Sequence, residues 1–503
     1  MNQLKNKVSW KKLIVFLALF SSFFSVEAQR RAFIAINAPS ELKVVASSGS
    51  LINISWKDNS PDEEGFAVEK KETGRTYWEE VGFVPANISK FQLGGCLSGQ
   101  EYQIRLRAYK GSLFSDYTST VAARTRNKLG VQNSKVIESS NQRQGESTFV
   151  KAKNGELHLY FGSFSGVGDR SKSRITRKVS FDNGKSWSVQ EIIFEDDSLS
   201  LFHPSAIRLS KNIIGVAYSK KVMDRWEAQK VFRYSMDEGK TWSKEIRISD
   251  DSYPYTTGSH DRFVQLSNGR IFHMVHGRIP QKVQKAHNEA MEWKLEEGYG
   301  VHAYKEHPKG RQLGTDIYST NDSGKTWYKV NDKTILTYEN PYGLGEYGFY
   351  EASLVEWRPG HLAIFGRNAT GFLYVSRSQD YGKTWNTPRS VGIQNPLAPI
   401  RVAKIPNSDY IVLLQCPHVD LFGTWGNGPR YILASRISDD GGLTWKNYKE
   451  LEYDGIHHYA YPALLFDGGT AHLAYWKTTL ENNKWKKIEL AYRQEPSNWF
   501  ITE

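Results

Sequence analysis

The sequence predicts an all-β protein, a six-bladed β-propeller preceded by a small β-sandwich, and three observations carry that expectation. First, one eight-residue pattern occurs five times: Ser180-Phe-Asp182-Asn-Gly184-Lys-Ser-Trp187, Ser235-Met-Asp237-Glu-Gly239-Lys-Thr-Trp242, Thr320-Asn-Asp322-Ser-Gly324-Lys-Thr-Trp327, Ser378-Gln-Asp380-Tyr-Gly382-Lys-Thr-Trp385 and Ser438-Asp-Asp440-Gly-Gly442-Leu-Thr-Trp445. Second, short apolar runs of strand type alternate with these patterns. Third, residues 39–126 alternate in the same way but lack the pattern.

Each repeat has a local logic. The aspartate can accept bonds from nearby backbone N–H groups, glycine takes the positive φ of a tight turn, and tryptophan fills an apolar gap. The tryptophans stand 55, 85, 58 and 60 residues apart, too far for stacked single hairpins and suited to four-stranded blades with loops. Six runs mark blade strands: Leu157–Phe161, Ile213–Tyr218, Ile271–Val275, Leu362–Phe365, Ile411–Leu414 and Ala471–Tyr475. The long second interval holds residues 281–310, whose polar, helix-favouring part at 281–297 reads as an insertion near the pocket rim.

In chain order, residues 1–28 carry Lys5, Lys7, Lys11 and Lys12, the apolar run Leu13–Phe24 and the small-x-small site Val26-Glu27-Ala28. That is the form of a signal peptide, so a secreted or periplasmic protein without a permanent membrane span is expected. No cysteine follows the run, and lipid attachment there is not expected. The 503 residues, 39% hydrophobic and 24% charged, are enough for more than one core.

Residues 38–126 read as the sandwich, with strands at Leu42–Val45, Leu51–Trp56, Gly65–Glu69 and Tyr102–Ala108. This segment resembles a fibronectin type III domain, with Trp56 as its core tryptophan and Tyr102 as its corner tyrosine. Such a module either attaches to carbohydrate or a partner or serves as a spacer; the spacer is the plainer reading, since the fold decides no role. Residues 127–140 read as a polar linker and 141–503 as the propeller. Cys96 and Cys416 fall in different domains, so no structural disulfide is expected.

The formal charge of +12 is scattered, without the basic stripe that nucleic acid binding needs. An acidic substrate is compatible with it. The histidines His203, His260, His273, His276, His457 and His458 match no zinc spacing. Neither metal nor cofactor is expected.

The repeated pattern resembles the Asp box of the sialidase (neuraminidase) superfamily, in which BNR repeats build a propeller, as in glycoside hydrolase family 33. The resemblance extends over about residues 140–490. Tyr350-Glu351 with Arg367-Asn368 looks like the segment where a glutamate opens one strand and an arginine closes the next. Gly428-Pro-Arg430 looks like the place of a further arginine, and His458-Tyr-Ala-Tyr461-Pro-Ala-Leu-Leu like the segment of the nucleophile. Asp169 stands in the place of the acid/base aspartate. Where the family opens its first blade with an arginine, this chain has Gln142-Arg143-Gln-Gly-Glu146, so Arg143, Glu146 or Arg170 is expected at that corner.

The resemblance implies a retaining mechanism with Tyr461 as nucleophile, Glu351 as its base and Asp169 as acid/base, and with Arg143, Arg367 and Arg430 binding the substrate carboxylate. A tyrosine suits a substrate with a carboxylate on the anomeric carbon, because an anionic nucleophile would be repelled. His203, His260 and Arg262 open blades as Glu351 does and are expected to line the pocket, contacting hydroxyl groups. Each residue also has a plainer reading: Tyr461 beside Pro462 as packing, Glu351 as an edge charge, the arginines as surface residues and Asp169 as a loop residue. The expected function is exo-hydrolysis of terminal α-linked sialic acid or a related nonulosonic acid from a glycan. The alternatives are a hydrolase or lyase of another acidic polysaccharide, and a non-catalytic glycan-binding propeller.

Overall fold

A computed structural model describes residues 36–130, 133–137, 141–210, 212–222, 227–250, 255–279, 311–341, 346–420, 428–481 and 484–502. The expected signal peptide and the 281–310 insertion lie outside the described residues.

Residues 40–124 form two facing antiparallel layers. Leu51–Lys57 pairs with Ser40–Ala46 on one side and Lys90–Gly94 on the other, while Gly65–Glu72 lies between Glu79–Pro85 and Glu101–Lys110. The strands alternate because each has one face inward: Ile52, Ile54 and Trp56 meet Phe66, Val68, Ile104 and Leu106 in one core. Trp56 packs edge-on to Phe66 with centroids 5.2 Å apart. The Tyr102 hydroxyl accepts the Leu97 N–H at 2.9 Å, which satisfies a turn amide that burial would otherwise strand.

From Arg143 onward, six antiparallel meanders succeed one another among the described residues. Their innermost strands are Arg143–Lys151, Leu199–Ser210, Phe263–Gln265, Tyr350–Arg358, Arg401–Lys404 and His458–Asp467. The last meander continues through Thr470–Glu481 to Lys484–Pro496, and its outer partner comes from far upstream. Lys135–Ile137 pairs with that strand, Ile137 opposite Leu490. The stretch read as a linker thus contributes a strand to the ring, because buried Ile137 packs with Phe149, Leu490 and Tyr492.

The five Asp patterns lie at the turns after the third strands. In one, Asp380 Oδ1 accepts the Ser378 hydroxyl at 2.7 Å and the Lys383 and Thr384 amides at 3.0 Å, while Oδ2 accepts the Thr384 hydroxyl at 2.7 Å. Tyr381 and Gly382 take φ of 58° and 82°. A Cβ on Gly382 would stand 2.8 Å from the Phe272 ring, so glycine is required by the neighbouring sheet as well as by the turn. The tryptophans wedge against the preceding sheet: Trp187 on Tyr492, Trp242 on Phe194, Trp327 on Phe232 and Trp445 on Phe365, at 5.1, 5.1, 5.3 and 5.7 Å. The repeat is therefore both a turn and an inter-sheet wedge.

The N-terminal layers are fastened to the ring. Glu450 Oε1 accepts the Ser50 amide at 3.0 Å and hydroxyl at 2.6 Å, and also the Ser48 hydroxyl. Gly82 pairs with Ile393. Cys96 and Cys416 are buried free thiols. Among the described residues no helix is long and apolar enough to cross a membrane.

Candidate active site

Four innermost strands open with the same device. Their pairing register slips between Gly145 and Thr148, Phe202 and Ser205, Tyr350 and Ser353, and Ala460 and Ala463. Within each slip one non-glycine residue is left-handed: Glu146 (φ 55°), His203 (52°), Glu351 (47°) and Tyr461 (55°). Such a conformation costs about 1–2 kcal/mol per residue, and a bulge re-aims the side chain that bears it. All four side chains line one cavity of about 300 Å³.

On one wall, the Tyr461 hydroxyl points at Glu351 Oε1, 3.4 Å away, and Arg367 Nη1 donates to Glu351 Oε2 at 2.5 Å. Arg367 Nη2 and Arg430 Nη2 both donate to the Leu397 carbonyl at 2.8 Å. Two guanidinium groups thus converge on one acceptor beside the tyrosine. The Tyr461 ring is held by Trp476, 4.4 Å between centroids, and by His260 at 5.5 Å.

On the other wall, Arg143 donates Nη2 to Glu146 Oε1 at 2.6 Å and Nη1 to Asp169 Oδ1 at 2.7 Å. Its guanidinium lies 4.1 Å from the Phe164 ring centroid and 4.7 Å from that of Trp476. Glu146 is buried, whereas the Asp169 side chain is 81% exposed. His203 Nε2 stands 3.6 Å from Glu146 Oε2.

These surroundings set the protonation states. Burial pushes the Tyr461 hydroxyl far above its usual range, Glu351 adds to that, and Arg367 and Arg430 only partly offset it; the tyrosine is neutral. Burial alone would raise Glu351, but Arg367 and His276 outweigh it and hold the carboxyl below its usual range. An ionised carboxylate therefore faces a neutral phenol, the pairing that proton transfer from tyrosine requires. Glu146 is pushed up to about 7 by burial, which Arg143 only partly offsets. His276 and His260 are pushed down to about 4 and about 3, chiefly by burial, and His203 lies well below its usual value for the same reason.

The cavity brings together Asp169, Glu351, Tyr461, Arg143, Arg367, Arg430, Glu146 and His203. Arg170 is exposed and outside that lining. His260 and Arg262, expected in the lining, lie behind it. His260 Nε2 is 3.2 Å from the Pro462 carbonyl, and Arg262 Nη2 donates to the Glu351 and Ile400 carbonyls at 3.2 and 2.8 Å. Asp261 between them is left-handed (φ 53°), and both side chains are buried. Sequence reasoning missed Phe164, Tyr255, Trp476 and Trp485, which also line the cavity; only strand alternation in Thr470–Glu481 marks one face for Trp476.

The succession of antiparallel meanders with Asp turns is the fold of solved sialidase structures. The chain belongs to the family of the BNR repeat-like domain, which matches residues 204–473. A sialidase of Bacteroides fragilis (strain YCH46) is 23% identical over 278 residues, 51% of this chain and 42% of the relative. The match thus spans less than half of that relative's length. Among solved structures, the Hadza microbial sialidase Hz136 superposes with a TM-score of 0.53 at 15% identity, over 92% of this chain and 98% of the other. A mutant of NanB sialidase from Streptococcus pneumoniae gives 0.53 at 12% identity, over 92% and 93%. These structural likenesses carry the fold.

Proposed function

We propose that this protein is an exported exo-glycosidase that removes terminal α-linked sialic acid, or a related nonulosonic acid, from glycans with retention of configuration. The observation that supports it best is the line Tyr461, Glu351, Arg367: a neutral phenol 3.4 Å from a carboxylate that is itself anchored by a guanidinium at 2.5 Å. Arg430 adds a second cation on the same side.

In this reading the substrate carboxylate binds the arginines, which recognise its planar oxygens. Tyr461 Oη forms a bond to the anomeric carbon as Glu351 takes the phenolic proton. The bond to the leaving oxygen breaks, its electron pair stays with that oxygen, and Asp169 supplies the proton. Asp169 then takes a proton from water, whose oxygen attacks the anomeric carbon, while the departing Tyr461 oxygen recovers the proton from Glu351. Two inversions give retention. Residues 38–126 act as a fibronectin-like spacer in front of the ring, and 1–28 as the export signal.

The test is hydrolysis of a fluorogenic α-sialoside by wild type, Tyr461→Phe and Asp169→Ala, with the first-formed anomer read by NMR. Turnover that survives Tyr461→Phe unchanged would overturn the mechanism. One observation favours a second reading: Arg143 is already engaged by two carboxylates. A hydrolase or lyase of another acidic polysaccharide would show turnover of uronate polymers and none of the sialoside.

A further inference from the structure

The position of Asp169 conflicts with the work assigned to it. Its carboxylate accepts from Arg143 Nη1 at 2.7 Å, where it is a charge-assisted acceptor rather than an acid facing a leaving group. The same guanidinium is the one a substrate carboxylate would need on that wall.

Arg143 has little else to give. Nη2 is committed to Glu146, which is 1% exposed, and Nη1 is shared between Asp169 and the Val167 carbonyl at 3.2 Å. Its Nε is buried without a partner among the described residues. Of the two carboxylates on this cation, only Asp169 faces solvent, 81% exposed against the 4% of Arg143. It sits in the short loop between Phe164 and Ser173, which contains Gly166 and Gly168 and is closed by Ser165 N–H to the Lys172 carbonyl at 2.9 Å. Glu146 is fixed by its bulge and by burial; Asp169 is the ligand that can leave.

We infer that Asp169 holds the substrate's place on Arg143, so that an arriving carboxylate displaces it and frees it to serve as the acid. The inference rests on the proposed sialidase reading. Displacement exchanges one anion for another on the guanidinium, so the charge of the wall is conserved. The freed Asp169 takes a proton from solvent and carries it to the leaving oxygen. Neutral sugars lack the group that makes the exchange, and specificity for acidic sugars then arises from release of the acid as well as from binding.

The exchange has a signature that a purely catalytic Asp169 lacks. Removing the competitor should tighten binding of an acidic sugar while abolishing turnover. The test is calorimetric titration of wild type and Asp169→Ala with a 2,3-unsaturated nonulosonic acid, its methyl ester and galacturonic acid. Asp169 is exposed, so the variant is expected to keep its fold, which thermal unfolding checks. Asp169→Ala should bind the nonulosonic acid about five- to tenfold more tightly than wild type, the size of a partly exposed ion pair, and the ester with no gain. Equal or weaker binding of the acid by the variant overturns the exchange and leaves the sialidase reading standing. If only galacturonic acid binds and the variant tightens it, the exchange stands and the substrate reading falls. If neither acid binds either protein, both are overturned.

Discussion

Arg401 donates its Nε to Asp261 Oδ2 at 2.6 Å, and the same carboxylate accepts the Leu464 amide at 3.1 Å and, through Oδ1, the Thr148 hydroxyl at 3.0 Å. One side chain just ahead of the third innermost strand thus ties the first, fifth and sixth together. The contacts at Thr148 and Leu464 lie two and three residues beyond Glu146 and Tyr461.

Loss of one partner of this buried pair should be costly. Arg401→Met leaves Asp261 buried and unpaired, and about 3–5 kcal/mol of stability should be lost in chemical denaturation. Burial alone would raise the Asp261 carboxyl, but Arg401 outweighs it and holds it below its usual range. A carboxyl lowered in the fold stabilises above its unfolded pKa of about 3.9, and that stability is lost as pH falls through the lower folded value. The acid limb of the wild-type stability curve should therefore be steeper than that of Arg401→Met.

Tyr461→Phe should separate chemistry from folding. Among the described residues the hydroxyl has one polar contact, the 3.4 Å approach to Glu351, and the ring contacts to Trp476 and His260 are kept. The melting temperature should move by only a few degrees, about 1 kcal/mol or less, while under the proposed mechanism kcat falls by about 10³-fold or more, because a nucleophile acts as a unit with its base.

Glu146 should leave a mark near neutrality. Its folded pKa of about 7 stands above the ~4.3 of an unburied glutamate. The folded state holds this proton the more tightly, so the stabilisation is complete below about pH 4.3 and disappears as pH rises through about 7. Glu146→Gln does not titrate and should lose less stability between pH 5 and pH 8 than wild type. Equal losses would remove Glu146 from that account.

Glu450→Ala should loosen the N-terminal layers from the ring. It removes the charged acceptor of the Ser50 amide and hydroxyl, leaving them Ser48 Oγ and Tyr448 Oη, at a cost of about 1–3 kcal/mol. Limited proteolysis should cut earlier within residues 47–50 or 95–100, with turnover unchanged; resistance equal to wild type would show that the Gly82 to Ile393 pairing suffices.

What was legible in the chain was local. The Asp turns can be read because Asp380, Gly382 and Trp385 act within eight residues, and five of the six meanders carry one. Glu351, Arg367 and Tyr461 could be singled out because each stands in a recognisable segment, and the structure places the three on one cavity. What could not be read depends on distant partners. The commitment of Arg143 to Asp169 and Glu146 needs a loop folded back over a bulge. Arg262 is buried beside a left-handed Asp261, which bonds to strands up to about two hundred residues away. The sheet role of Lys135–Ile137 is invisible in a polar stretch until Lys484–Pro496 is beside it.

That last pairing bears on how the chain acquires its shape. Ile137 meets Leu490 only after everything between them has been synthesised, so the earliest residues of the ring must wait for the latest before the circle can shut. Contacts so remote in sequence make for slow folding. Until they form, the last sheet offers a bare edge to any neighbouring strand. Closure of the ring thus waits on contacts between its two ends, Ile137 with Leu490 and Arg143 with Ile488, and any delay in making them is expected to show as aggregation through the strand at 484–496.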